Sequence, residues 1–187
     1  MTDTKEEELT VIAVSDYLSP EDWSLIREDG QDIFKGSHIE DKGAEFLIAF
    51  FHCFPHHQQY FKAFKGLSLK ELKSLPFAHN HGRSVITRLG LVVDNLDNPR
   101  EVKVQMQKLI SAHVPRGVKV ADMKDILDVF IQFVQHDRGA RFGPDHVLAW
   151  RKLVLYLQAV LEAEATSAQT ELLSGCPSQG DPDAACG

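Results

Sequence analysis

Two histidines stand out because each is the single polar member of an otherwise apolar helical stripe. His81 shares its stripe with Val85, Leu89 and Val92, and His113 closes another made of Val102, Met106 and Leu109; both spacings trace one face of an α-helix. Burying an imidazole costs free energy unless both ring nitrogens find partners. Two such residues on two helices suit an apolar slot that holds something needing nitrogen ligands. Pro115 stops the second helix just beyond His113. His113 therefore falls in the last turn, where the carbonyl of Leu109 can accept the proton of one ring nitrogen and leave the other free as a ligand. Each histidine also has a plainer reading, as a satisfied core residue or as one favoured by the negative end of a helix.

Several neighbours fit the same slot. Glycine in a helix interior costs about 0.5–1 kcal/mol relative to alanine, so Gly43 and Gly82 point to a close helix crossing. Phe50, Phe51, Phe54, Phe61 and Phe64 form an aromatic cluster, and the turn Pro55-His56-His57-Gln58-Gln59-Tyr60 delivers Phe61 where a ring can wedge against a flat ligand. Other metal chemistries lack their motifs: there is no Glu-x-x-His, no HExxH, no CxxCH and no Gly-rich phosphate loop. His52, His56, His57, His79, His136 and His146 read as surface or core side chains. A haem iron is the nitrogen-ligated group that suits what remains.

The elements that must position these residues are helices throughout. Ser19-Pro20-Glu21-Asp22, Asn98-Pro99-Arg100-Glu101 and Gly143-Pro144-Asp145 each place proline at the first helical position with an acid in the first turn. Ser68 with Glu71, and Asn98 with Glu101, match the capping box. No segment sustains a period of two. The spacing predicts an all-α domain over residues 18–165, with helices near 19–35, 38–53, 69–73, 75–96, 99–113, 120–136 and 144–164. Residues 1–17 read as a flexible acidic arm, and 166–187, rich in Ser, Gly, Pro and Asp, as a disordered tail.

Composition narrows the function classes. The chain has 187 residues, 43% of them hydrophobic, and a net charge of −7, enough for one domain with a sizeable core. Its charges are interspersed, which argues against nucleic-acid or anionic-membrane partners. The start of the sequence lacks the regions of a signal peptide and no stretch approaches a membrane span, so a cytoplasmic location is expected. Cys53, Cys176 and Cys186 make neither a disulfide framework nor a zinc site.

From Leu18 to Ala163 the chain resembles an animal globin. Asn80-His81-Gly82-Arg83-Ser84-Val85 is similar to the family's distal helix, Leu109-Ile110-Ser111-Ala112-His113 to its proximal helix, and Leu18-Ser19-Pro20-Glu21-Asp22-Trp23 to its first helix. Pro55 with Phe61 six residues later resembles the family's haem-wedging corner. The stretch His113-Val114-Pro115-Arg116-Gly117-Val118-Lys119 looks neuroglobin-type, and the long tails are similar to those of cytoglobin-like chains.

The resemblance implies a globin fold of helices packed at about 50° around one haem b. It implies His113 as proximal iron ligand and His81 as distal histidine and candidate sixth ligand, a role that mobility at Pro76 and Gly82 would help. It implies haem packing by Leu47, Phe61, Phe64, Val85, Leu109, Val118, Met123 and Ile126. The partners implied are dioxygen, carbon monoxide and nitric oxide, with the chain a monomer or homodimer. Two positions depart from the family pattern: Ala112, where many globins carry a hydroxyl that orients the proximal imidazole, and Ala63, often basic. Lys62, Lys65 or Arg116 are then the candidates to meet a propionate. Reversible oxygen binding is the expected function, with a haem redox enzyme (nitric oxide dioxygenation, nitrite reduction or electron transfer) as the alternative.

Overall fold

The computed structural model describes residues 11–35 and 38–174. Among them are seven α-helices and no strand: α1 (Pro20–Phe34), α2 (Ile39–Cys53), α3 (Leu69–Leu72), α4 (Pro76–Asp94), α5 (Pro99–His113), α6 (Val120–Arg138) and α7 (Pro144–Ser174). Short 3₁₀ turns at Pro55–Tyr60 and Lys62–Phe64 carry the chain from α2 to α3, and another at Val114–Arg116 leads from α5 toward α6.

Local chemistry accounts for the starts. Ser19 caps α1 reciprocally, its hydroxyl accepting from Asp22 N while its own N–H donates to Asp22 Oδ2 at 2.8 Å. Ser68 and Glu71 do the same for α3. Asn98 caps α5 from one side only, accepting from Glu101 N, because the Glu101 carboxylate instead takes a hydrogen bond from Gln105 at 2.6 Å.

The core is aromatic. Phe46 of α2 meets Phe130 edge-on at 5.4 Å between ring centres, and Phe130 meets Trp150 at 5.5 Å, which joins α2, α6 and α7 through one chain of rings. Asp29 of α1 is fully buried beside this cluster and accepts hydrogen bonds from Arg138 Nε at 2.8 Å, His146 Nδ1 at 2.8 Å and Trp150 Nε1 at 2.9 Å. One carboxylate thus fastens α1 to both α6 and α7.

Two boundaries differ from expectation. The arm predicted to be flexible through residue 17 is docked over its last residues: Val14 is buried, Tyr17 packs on Tyr156 at 5.6 Å, and the Tyr156 hydroxyl donates to the Ile12 carbonyl. At the other end α7 passes residue 165 and continues as helix to Ser174. Its composition hid this, because Thr166, Ser167 and Thr170 bond their hydroxyls to carbonyls one turn back and so stay within the helix. Cys176 and Cys186 lie outside the described residues, and Cys53 is a free, exposed thiol. No helix among the described residues is long and apolar enough to cross a membrane.

Candidate functional site

α4 and α5 form a hairpin closed at one end and open at the other. Near the link, Val92, Val93, Leu96 and Val102 are buried; toward the free ends, His81, Val85 and Leu89 on α4 and Leu109 and His113 on α5 are only half-buried. The two stripes are therefore not uniformly interior, as their periodicity suggests. Both histidines sit at the open end of the hairpin, His81 near the start of α4 and His113 at the last residue of α5.

His113 is oriented as its position in the last turn predicts. Its Nδ1 lies 2.9 Å from the Leu109 carbonyl oxygen, which assigns the proton to Nδ1 and leaves Nε2 with its lone pair free. Ala112 offers no hydroxyl, so this backbone carbonyl does the orienting. The guanidinium of Arg116 donates to the Ala112 carbonyl, which ties the turn after His113 back onto the end of α5. Gly117, at φ +84°, then reverses the chain toward α6 in a conformation that favours glycine.

His81 is placed by aromatic neighbours. The Phe61 ring stands edge-on to it at 4.9 Å, Phe77 lies parallel to it at 6.3 Å, and Phe61 and Phe64 stack on each other at 4.9 Å. Burial among these rings, reinforced by the charge His113 would carry, pushes the His81 pKa down to about 4. His81 is accordingly a neutral imidazole near pH 7.

The remaining expected wall residues divide into two tiers. Leu47, Phe64 and Met123 are buried in the core, while Phe61, Val85, Leu109, Val118 and Ile126 are half-buried and packed against it. Sequence reasoning missed Phe77, which is 51% exposed, lies edge-on to Phe64 at 5.4 Å and extends the His81–Val85 stripe by one helical turn. That i, i+4 spacing was the available signal. Lys62 and Lys65 are exposed on the corner beside Phe61 and Phe64.

α4 packs mainly along α2, and their closest approach is at Gly43 and Gly82. A Cβ built on Gly82 would lie 2.2 Å from the backbone of Gly43, and one on Gly43 would lie 2.3 Å from the backbone of Gly82. The helices touch main chain to main chain at the residue next to His81. Gly82 therefore serves a tight crossing, and the helix is held there rather than loosened.

The helices and their order place an uncharged imidazole on α4 and, on α5, an imidazole oriented by a backbone carbonyl. A family model described as globin matches residues 44–161; the chain belongs to the globin family. It is 30% identical to a globin of Nerita albicilla over 67% of this chain and 80% of that protein. It is also 30% identical to cytoglobin-2 of Danio rerio over 71% of this chain and 73% of that protein. A crystal structure of a double mutant of myoglobin from Aplysia limacina superposes with a TM-score of 0.67 at 27% identity, covering 78% of this chain and 97% of that one. Membership implies a haem group and a small gas ligand. The residues present fit that group: an imidazole nitrogen of His113 left free, a neutral imidazole at His81, and half-buried apolar side chains on the same two helices and the neighbouring corner.

Proposed function

We propose that this globin binds dioxygen reversibly at a ferrous haem b, with Nε2 of His113 as the proximal ligand of the iron and His81 on the opposite face. The observation that carries the reading is the pairing of a backbone-oriented His113 with an uncharged His81 at the open end of one hairpin. The haem, when bound, supplies the iron that takes up the gas.

The chain's residues supply the rest. The Leu109 carbonyl holds the His113 proton at Nδ1, so Nε2 presents its lone pair without a competing proton and in a fixed ring orientation. His81, neutral at physiological pH, has one N–H to donate and no charge that would draw water inward. Phe61, Val85, Leu109, Val118 and Ile126 are the apolar side chains that would shield a bound haem from water, and Leu47, Phe64 and Met123 back them from the core. Lys62, Lys65 and Arg116, all exposed, are the candidates to meet the propionates. Carbon monoxide and nitric oxide are further ligands of the same site. The reading takes the chain as a cytoplasmic monomer or homodimer.

Absorption spectra test it. Purified protein should show a Soret band that shifts on reduction, and again when oxygen is admitted, and returns when oxygen is removed. Oxidation to the ferric form on first exposure to oxygen, with no reversible step, would exclude reversible binding and favour the redox alternative.

A further inference from the structure

Apart from His81 and His113, the 3₁₀ turn Pro55–Tyr60 meets the start of α6 and brings together four groups with metal-binding chemistry. His56, His57, Asp122 and Asp125 each offer one ligand atom, and these atoms all lie within 4.8 Å of one another. His57 is 2% exposed, stacked on Phe50 at 4.9 Å, with its ring 4.0 Å from that of His56.

The hydrogen bonds around His57 leave an imbalance. Its Nε2 is 2.8 Å from Asp125 Oδ2, and since a carboxylate only accepts, the imidazole proton belongs on Nε2. Nδ1 is then a lone pair, and it is buried without a hydrogen-bond partner. What it faces, at 4.0 Å, is Asp122 Oδ1. The other oxygen of Asp122 is already engaged by the Tyr60 hydroxyl and by Lys119 N, each at 2.8 Å. Two acceptors thus point at each other across a gap too long for a hydrogen bond. Two ligands about 2.0–2.2 Å from a tetrahedral zinc lie about 3.3–3.6 Å apart, so this gap needs to close by only about half an ångström to seat an ion.

We propose that this corner is a second metal site, for a divalent transition ion of zinc type, separate from the haem iron. His57 Nδ1, Asp122 Oδ1 and a ring nitrogen of the exposed His56 are its ligands. Asp125 holds the His57 tautomer from behind, the carboxylate–histidine–metal arrangement. Two imidazoles with a carboxylate suit zinc better than calcium or magnesium, which favour all-oxygen shells. An ion there would clasp the turn that ends on Phe61 to the first turn of α6, which carries Met123.

The test is calorimetric titration of the haem-loaded protein with Zn²⁺, with metal analysis after gel filtration. The wild type should take up and retain one equivalent. Asp125→Asn should weaken binding about 10–100-fold, the usual effect of removing such a carboxylate. His56→Ala should weaken it at least tenfold, and because His56 is exposed this variant should keep its fold and haem, checked by circular dichroism and the Soret band. His52→Ala/His136→Ala, on the groove beside Cys53, should bind as the wild type does. Absence of stoichiometric uptake would overturn the site. Binding unaltered in both His56→Ala and Asp125→Asn, or lost in the His52/His136 pair, would overturn it equally.

Discussion

Gly43 and Gly82 bring the backbones of α2 and α4 into direct contact, so close that a methyl group on either would overlap the other's main chain. Neither neighbour is a flexible side chain that could move aside. Gly82→Ala must push the helices apart at the residue beside His81. It should cost at least the 1–3 kcal/mol typical of overpacking and weaken haem retention as well. Thermal melting with and without haem checks both; a variant as stable and as fully loaded as the wild type would show that the crossing yields.

Asp29 makes a parallel prediction for the fold. Asp29→Ala breaks the buried pair with Arg138, which keeps only the more exposed Asp32, and strips His146 and Trp150 of their acceptor. Breaking a buried pair in this way costs about 3–5 kcal/mol. Urea unfolding should show that loss, while the gas-binding spectra of the folded fraction stay as in the wild type.

The neutral state of His81 ties stability to pH. Its pKa is about 4 in the folded chain against 6.5 when unfolded, so below pH 6.5 the unfolded state binds a proton that the folded state refuses. The stability His81 contributes is complete above pH 6.5 and is lost as pH falls toward 4. For the haem-free protein, and allowing for partial exposure, the loss from pH 7 to pH 5 should be about 1–2 kcal/mol. His81→Gln should remove that part of the slope; an identical slope in both proteins would contradict the assignment.

Most of the fold was legible because its punctuation is local. Ser19, Ser68, Asn98 and the prolines that follow helix starts are read within four residues, and the two glycines announced their crossing through the cost of standing in helices. His113 and its Leu109 acceptor were legible for the same reason, being one turn apart. What escaped depends on long-range assembly. The docking of Val14 and Tyr17 on α7, the extension of α7 through a Ser/Thr-rich stretch, and the meeting of His57 with Asp122 and Asp125 all join residues whose sequence spacing carries no signal. The half-exposure of Val85 and Leu109 escaped too, since periodicity marks an apolar face without saying what covers it.

His81 should act on the gas through its N–H. A hydrogen bond to a charged acceptor contributes roughly 1.5–3 kcal/mol. His81→Leu should therefore speed oxygen dissociation by one to two orders of magnitude and hasten oxidation of the iron, with a smaller effect on carbon monoxide, which gathers less charge. Flash-photolysis and stopped-flow rates check this. Equal effects on both gases would reduce His81 to bulk. Because Gly43 holds α4 beside His81, the ferrous gas-free protein should show one broad visible band; sharp, split bands would mean that His81 itself sits on the iron.

If His113 alone ties this chain to its iron, haem retention by His113→Ala is the decisive measurement. Passed through gel filtration beside the wild type, the variant should emerge with its helical content intact and its Soret absorbance largely lost. If it emerges with a full complement of haem and an unchanged spectrum, the iron is held elsewhere and His113 is not its ligand.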